Sequence, residues 1–436
     1  MLYLIAAATV LAGAVAYNFG TYHPRAIFGL GAALALCLAG NAQLRKAVKQ
    51  PAAVWLFGLC FAFAFWQNRS TPLFHVRYGG LPFTPFLAGL ALAFLLIAWG
   101  LFSKRNWWFP ALIVVYLAMG VWVIRAIPTP EIDVWTVQMN SVKALLEGTN
   151  PYSLRTWVGE HYNPDFYGPG IVQNGYANFG YPYWPVTLFL SLPGYAAFGD
   201  IRYSQLLSLA ATALIIGYGF PRASKVAKLA GSLFLFWPRG FYILESGWTE
   251  PFLVVLIAIT VLTAMRRPGL LWIPAGALFA SKQYMLLMFP LAYLLIPRWR
   301  DLAIFTVKAA GLGAAITLPL VLWSVPDFWR STIAFQLAQP FRKDALSFTA
   351  FAVNHGWPPP PAALGFLLFA GAMAWCLWRN PRTPAGFASA LAVSFFFFVS
   401  FAKQAFANYY SLIIGTLCIV IAACADSPEP EVKKPS

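Results

Sequence analysis

Charge is scarce in this chain of 436 residues: Asp, Glu, Lys and Arg together make up 10%, against about 25% in an ordinary soluble domain. So few charges cannot solvate the surface of a water-soluble body of this size, which excludes that class. Acidic residues are scarcest, 14 against 30 Lys and Arg, and there are only four histidines. Cysteine is sparse too. Cys37, Cys60, Cys376, Cys418 and Cys424 form no CxxC spacing, which argues against a zinc ribbon or a disulfide scaffold. All five fall in apolar runs and read as core residues. No P-loop, HExxH or serine elbow is present, and GLGAAI at 311–316 lacks the strand, turn and helix that a nucleotide fold requires. No soluble nucleotide cofactor is implied. Internal repeats are absent, so an inverted-repeat transporter architecture has no support.

Apolar runs fill the space that charge leaves. Hydrophobic residues make up 60% of the chain, and a spanning helix needs about 20 of them in succession. Such runs occur near 2–17, 24–40, 52–66, 84–103, 108–127, 183–198, 203–219, 229–244, 251–265, 269–297, 302–323, 361–378, 386–402 and 407–424. The fold class expected is therefore an all-α polytopic membrane protein with about 13–14 transmembrane helices. Met1–Tyr17 ends in AGAVA but lacks a basic start, so it reads as the first helix and not as a cleaved signal.

The net charge of +16 would suit nucleic acid if it were clustered. It is dispersed instead, over short links carrying Arg45, Lys46 and Lys49, Lys104 and Arg105, Arg222, Lys225 and Lys228, Arg266 and Arg267, Arg298 and Arg300, and Arg379 and Arg382. With no aromatic-interleaved basic patch, nucleic-acid binding is excluded. By the positive-inside rule these links face the cytoplasm. Segments with Glu131, Asp133, Glu147, Glu160, Asp165, Glu245, Glu250, Asp327 and Asp344 alternate with them and read as the outer face. The alternation holds only if one of 183–198 and 203–219 does not cross. The former, which follows YPYWP and contains Pro185 and Pro193, is the better candidate for a re-entrant or interfacial element. Both termini are then cytoplasmic. The expected divisions are an amino-terminal four-helix extension at 1–106, a core at 107–424 and a tail at 425–436. Large outer loops at 128–182 and 324–360 should face each other.

The order of motifs in the core carries a resemblance. A span ends near Ile127; Glu131 and Asp133 follow; then comes the apolar helix and small-residue turn of VKALLEGTNPY, with Gly148 and Tyr152. A Tyr-Pro element opens GYPYWPVTLFLSLP at 180–193, LESGWTEPF carries Glu245 and Glu250, and AGALFASKQYMLLMFPLAYLL places Lys282 between two apolar segments. Over about 107–424 this resembles the GT-C superfamily of membrane glycosyltransferases, especially the polyprenyl-phosphate-mannose-dependent alpha-mannosyltransferases. The four leading helices and the spaced Glu131-Ile132-Asp133 element depart from the family pattern.

The resemblance implies an inverting transferase that takes a hexose, with mannose favoured, from a polyprenyl-phosphate donor to a lipid or envelope-glycan acceptor. The site would lie on the extracytoplasmic face of the plasma (inner) membrane. Such chemistry needs a base for the acceptor hydroxyl, and Asp133 is the candidate, against a structural role as helix cap or partner of Arg125. A leaving phosphate needs cationic donors. Lys282 is the first, because an ionisable group between apolar segments is a functional candidate by default; Arg330, Arg342, Lys343, His355 and Lys403 are the others. Glu131, Glu245, Glu250, Tyr181, Trp184 and Gln404 are candidates for substrate contact, although Tyr and Trp equally populate interfacial belts. No cofactor is expected; a divalent metal would be compatible with the chemistry but no motif indicates one. Two rival readings are a transporter or flippase for lipid-linked glycans and a non-catalytic envelope-assembly protein.

Overall fold

The computed structural model describes residues 1–44, 50–69, 73–74, 83–158, 166–220, 224–296 and 298–425. Arg45, Lys46, Lys49, Arg222, Glu160, Asp165 and the tail beyond residue 425 lie outside these. The chain is a polytopic helical membrane protein, whose sheet among the described residues is one hairpin of two-residue strands, Val172–Gln173 against Tyr176–Ala177. Its first helices are α1 (Leu2–Tyr17), α2 (Pro24–Ala42), α3 (Gln50–Asn68) and α4 (Thr84–Phe102). Next come α5 (Trp108–Ala126), α6 (Asp133–Leu146), α7 (Pro185–Phe198) and α8 (Arg202–Leu214). The middle of the chain forms α9 (Lys225–Phe236), α10 (Gly240–Glu245), α11 (Glu250–Arg266), α12 (Trp272–Phe279) and α13 (Gln283–Leu286). A long α14 (Trp299–Trp323) precedes the short α15 (Val325–Trp329), α16 (Phe335–Ala338) and α17 (Phe348–Asn354). The chain finishes with α18 (Ala363–Arg379), α19 (Pro384–Ser400) and α20 (Ala407–Ala425).

Local chemistry sets many of these starts. Ser224, Ser347 and Thr383 each accept a hydrogen bond from the amide three residues on, and Pro24, Pro185, Pro251 and Pro384 fill first-turn positions where a missing N–H costs nothing. Because the long span-length helices are apolar around their circumference, packing and not amphipathicity decides their depth. Helix α20 is 89% buried over its apolar window, whereas the equally apolar α14 is 17% buried. The first is therefore the central pillar, packed by α1, α9, α11 and α19, and the second presents its side chains to lipid.

Six helices among the described residues are long and apolar enough to cross a membrane, and five further apolar helices are shorter. Two of the apolar runs read from the sequence are interrupted. The run at 229–244 breaks between α9 and α10, where Pro238 lacks an N–H and Arg239 takes a left-handed backbone (φ +76°). The run at 269–297 breaks at Lys282, which is extended (φ −152°, ψ 149°), and again into a 3-10 turn at Phe289–Leu294 that contains Pro290. Helix α7, of 14 residues, reaches about 21 Å, short of a hydrocarbon core of roughly 30 Å.

The two large loops meet. Gly180 N–H donates to Ser331 Oγ (2.8 Å), the Ser331 hydroxyl donates to Tyr152 O (2.8 Å), and Phe179 stacks on Phe335 at 3.9 Å. Beneath them Arg202 is fully buried. Its guanidinium holds the Asp200 carboxylate at 2.6–3.0 Å and donates to the carbonyls of Glu245, Ile124 and Pro128. One side chain thus fastens the ends of α5 and α10 to the start of α8. Removing one partner of a buried pair costs about 3–5 kcal/mol, so Arg202→Met should lower the thermal midpoint of the detergent-solubilised protein sharply; an unchanged midpoint would disprove the bracing role.

Candidate functional site

Helix α6 places the first functional group. Ile132 occupies the cap position with extended backbone, and Asp133 stands in the first turn, where the helix dipole favours a carboxylate. Asp133 Oδ1 accepts from Val134 N–H (2.7 Å) and Oδ2 from the Tyr167 hydroxyl (2.6 Å). Burial, then the nearby Asp133 charge, raises the Tyr167 pKa above the ordinary phenol value, so this phenol stays protonated and donating across the neutral range. No ion pair joins Asp133 to Arg125 among the described residues; Arg125 is exposed. The helix is aimed by Gln138, which donates to Gly247 O (2.6 Å), the same carbonyl that accepts from Gln205 on α8 (2.9 Å). Gly247 lies three residues before Glu250, so Asp133 and Glu250 are referred to one turn.

Asp133 lines a chamber of about 390 Å³ with Tyr167, Tyr183, Arg342, Asp344 and Gln404, within the range of about 300–1,000 Å³ typical of ligand sites. Arg342 clamps the Asp344 carboxylate with two bonds (2.7 and 2.6 Å) and packs over Phe166 and Phe406. Beside the chamber is a groove of about 370 Å³ with a largely apolar wall, including Leu287, Leu337, Phe366 and Phe398, and with two cations, Lys282 and Lys403. Tyr183, Gln336, Gln339, Gln404 and Tyr409 line both spaces. The chamber and the groove share that wall.

The two lysines differ in their partners. Lys282 is buried, with Nζ 2.6 Å from Glu250 Oε1 and stacked on Tyr183 (4.3 Å), and it also faces Tyr284 and Tyr409. Glu250 Oε1 further accepts from Asn408 (2.9 Å) and Tyr284 (3.2 Å), while its buried Oε2 has no hydrogen-bond partner among the described residues. Lys403 is half-buried and donates to three carbonyls, Gln336, Leu337 and Gln339, at 3.3, 3.3 and 2.5 Å. Burial lowers its pKa.

Of the residues singled out from sequence, Asp133, Arg342 and Gln404 line the chamber, and Lys282, Lys403 and Gln404 line the groove. Glu250 is the counter-ion of Lys282, lining neither space. The others lie off both. Glu131, Lys343 and His355 are exposed, the last with Nδ1 at 2.8 Å from Phe351 O. Glu245 is buried and accepts from Phe74 N–H (2.9 Å). Tyr181 is core, its hydroxyl bonded to Thr187 (2.8 Å), and Trp184 packs against the main core just before α7. Arg330 pairs with Asp327 (2.8 Å) and Tyr152 O, bracing the loops. Sequence reasoning passed over Tyr167, Tyr183, Asp344, Asn408 and Tyr409. Tyr183 sits in the YPYWP element and Tyr409 in FANYY, next to residues that were singled out; nothing local distinguishes Tyr167 from its aromatic neighbours.

Among the described residues, no group of three or more His, Cys, Asp and Glu side chains could hold a metal ion. Fold and site together define a multi-pass helical membrane protein in which an acidic chamber adjoins an apolar, lysine-bearing groove. No protein-family model matches the chain, and no curated protein matches it. Among solved structures, it is similar to the crystal structure of ArnT from Cupriavidus metallidurans bound to undecaprenyl phosphate, at 16% identity and a TM-score of 0.47. The similarity covers 73% of this chain and 60% of that one, less than two thirds of its length.

Proposed function

We propose that the chain is an inverting membrane glycosyltransferase that moves a hexose, with mannose favoured, from a polyprenyl-phosphate donor to a lipid or glycan acceptor. The observation that carries this reading is the shared wall between the Asp133 chamber and the groove with Lys282 and Lys403. The groove suits a prenyl chain, and its cations suit the phosphate at the end of that chain, Lys282 with its remaining donors and Lys403 by exchanging backbone carbonyls for phosphate oxygens. The chamber suits the sugars. The acceptor hydroxyl oxygen attacks the anomeric carbon, and the carbon–oxygen bond to phosphate breaks, its electron pair leaving with the phosphate. The hydroxyl proton passes to the Asp133 carboxylate. The motif order of the core supports the same reading, and the distribution of Lys and Arg among the links supports an extracytoplasmic chamber with both termini inside.

The test is sugar transfer by purified protein in lipid, supplied with polyprenyl-phosphate mannose and envelope glycolipids. Incorporation of label into glycolipid supports the proposal; protein-dependent movement of glycolipid between leaflets without transfer overturns it. Lys403 adds a pH signature. Its lowered pKa means that the ammonium loses its proton earlier than an ordinary lysine as pH rises. Donor affinity should therefore weaken on the alkaline side in wild type. In Lys403→Arg that alkaline fall should vanish, and in Lys403→Met affinity should drop roughly ten- to hundredfold at all pH, as read from donor KM. Identical alkaline profiles for wild type and Lys403→Arg would remove Lys403 from the phosphate site.

A further inference from the structure

The turn between α1 and α2 is held in a conformation that its sequence resists. Phe19 is a bulky residue at φ +51°, where little but Gly, Asn and Asp sits comfortably. Gly20 follows at φ +74°, so close to α20 that an added Cβ would lie 2.5 Å from Ala407 N. Several independent contacts impose this geometry. Thr21 pairs with Ala345 as an antiparallel bridge, and Tyr22 N–H donates to Asp344 O (2.7 Å). The Arg239 guanidinium lies 3.6 Å over the Phe19 ring and donates to Ala16 O (2.9 Å) at the end of α1. Backbone strain that the surroundings over-determine in this way points to function.

The strained turn has a chemical outcome: Phe19 and Thr21 are chamber wall. Tyr242 meets the Phe19 ring edge-on at 5.3 Å and the Trp248 ring at 5.0 Å, and both also line the chamber. A wall of three aromatic rings, each edge-on to the next, therefore stands in the same space as Asp133. The lysine-bearing groove contains none of these rings. The chamber's charged lining is Asp133, Asp344 and Arg342, and Arg342 is spent on Asp344. The lining is net negative and has no uncommitted cation among the described residues.

We infer that this aromatic platform, the wall formed by Phe19, Tyr242 and Trp248, is the acceptor subsite and that it takes a neutral sugar, whose C–H face packs against the wall while its hydroxyl reaches Asp133. The first two helices then serve to shape that subsite. This inference rests on the transferase reading for the word acceptor; carbohydrate binding by the platform does not. A phosphorylated or carboxylated sugar is disfavoured by the net negative lining, in which Asp344 is paired with Arg342 and Asp133 has no ion-pair partner among the described residues.

Binding of a neutral mannose trisaccharide and of its 6-phosphorylated form to the full chain in nanodiscs tests the inference, with saturation-transfer NMR as the readout. Phe19→Asn keeps a residue at home in the left-handed region and removes the ring; Trp248→Ala removes a ring without touching the turn. The expected result is trisaccharide affinity about tenfold weaker in each variant, and phosphorylated sugar bound at least about tenfold more weakly than neutral sugar by wild type. In the transfer assay the rise falls on acceptor KM and exceeds any change in donor KM. Wild-type affinity in both variants, or equal affinity for the two sugars, overturns the inference. Trisaccharide binding that both variants lose, in a protein that transfers from no lipid-linked donor, sinks the transferase reading and leaves the subsite standing.

Discussion

Asp133→Asn should abolish most sugar transfer, by about 10²- to 10⁴-fold, the usual contribution of a positioned general base. The substitution is nearly isosteric. An asparagine side-chain oxygen can still accept from the Tyr167 hydroxyl or from Val134 N–H, the two bonds that hold the carboxylate, so the start of α6 should survive. What it cannot do is take a proton from the acceptor hydroxyl. The loss should therefore fall on kcat with donor KM held, the signature of an interaction made in the transition state. Transfer kinetics against donor concentration, with a thermal midpoint to show that the variant is folded, decide the matter. A folded variant within tenfold of wild type would return Asp133 to the structural role that its place in the first helical turn also allows.

The helical class was legible because composition alone forbids a soluble surface and because apolar runs of span length recur along the chain. The interruptions within two of those runs were less legible. Hydropathy averages over a window, so it cannot see a single extended residue such as Lys282 or a left-handed one such as Arg239, each of which ends a helix inside an unbroken apolar run. The site divided in the same way. Asp133 and Lys282 stood out because an ionisable group beside or within an apolar run is costly. Glu245 and Glu250 were equivalent on that argument, five residues apart in one segment; only packing separates them, one meeting the Phe74 amide and the other the Lys282 ammonium. Tyr167 could not be picked out, since its meaning comes from a contact 34 positions away, and long-range pairing leaves no local mark. Phe19 shows the same limit more sharply. It belongs to the amino-terminal helices, which read as an accessory extension, and only the folded chain brings its ring into the chamber.

The pair of Lys282 and Glu250 should separate stability from chemistry. Both side chains are buried, at 3% and 0% exposure, so neither charge can be solvated if its partner is lost. Lys282→Met strands a carboxylate whose remaining donors are Asn408 and Tyr284; Glu250→Leu strands an ammonium among aromatic rings. Each should cost about 3–5 kcal/mol and show as a large fall in thermal midpoint. Replacing both together by apolar residues of similar volume is often neutral or stabilising, so the double variant should recover most of the midpoint. Transfer should not recover with it. Among the described residues the Lys282 ammonium makes one hydrogen bond, to Glu250, which leaves two donors for a phosphate arriving along the groove, and the unpartnered Glu250 Oε2 marks the pair as unfinished on the acid side as well. A donor phosphate would meet a cation held in place by its counter-ion instead of one free to snorkel away. Thermal midpoints and donor KM across the four members of the cycle give both answers. If transfer returns in the double variant together with stability, Lys282 is a structural charge and the leaving phosphate is held elsewhere in the groove; if stability returns alone, the pair belongs to the chemistry.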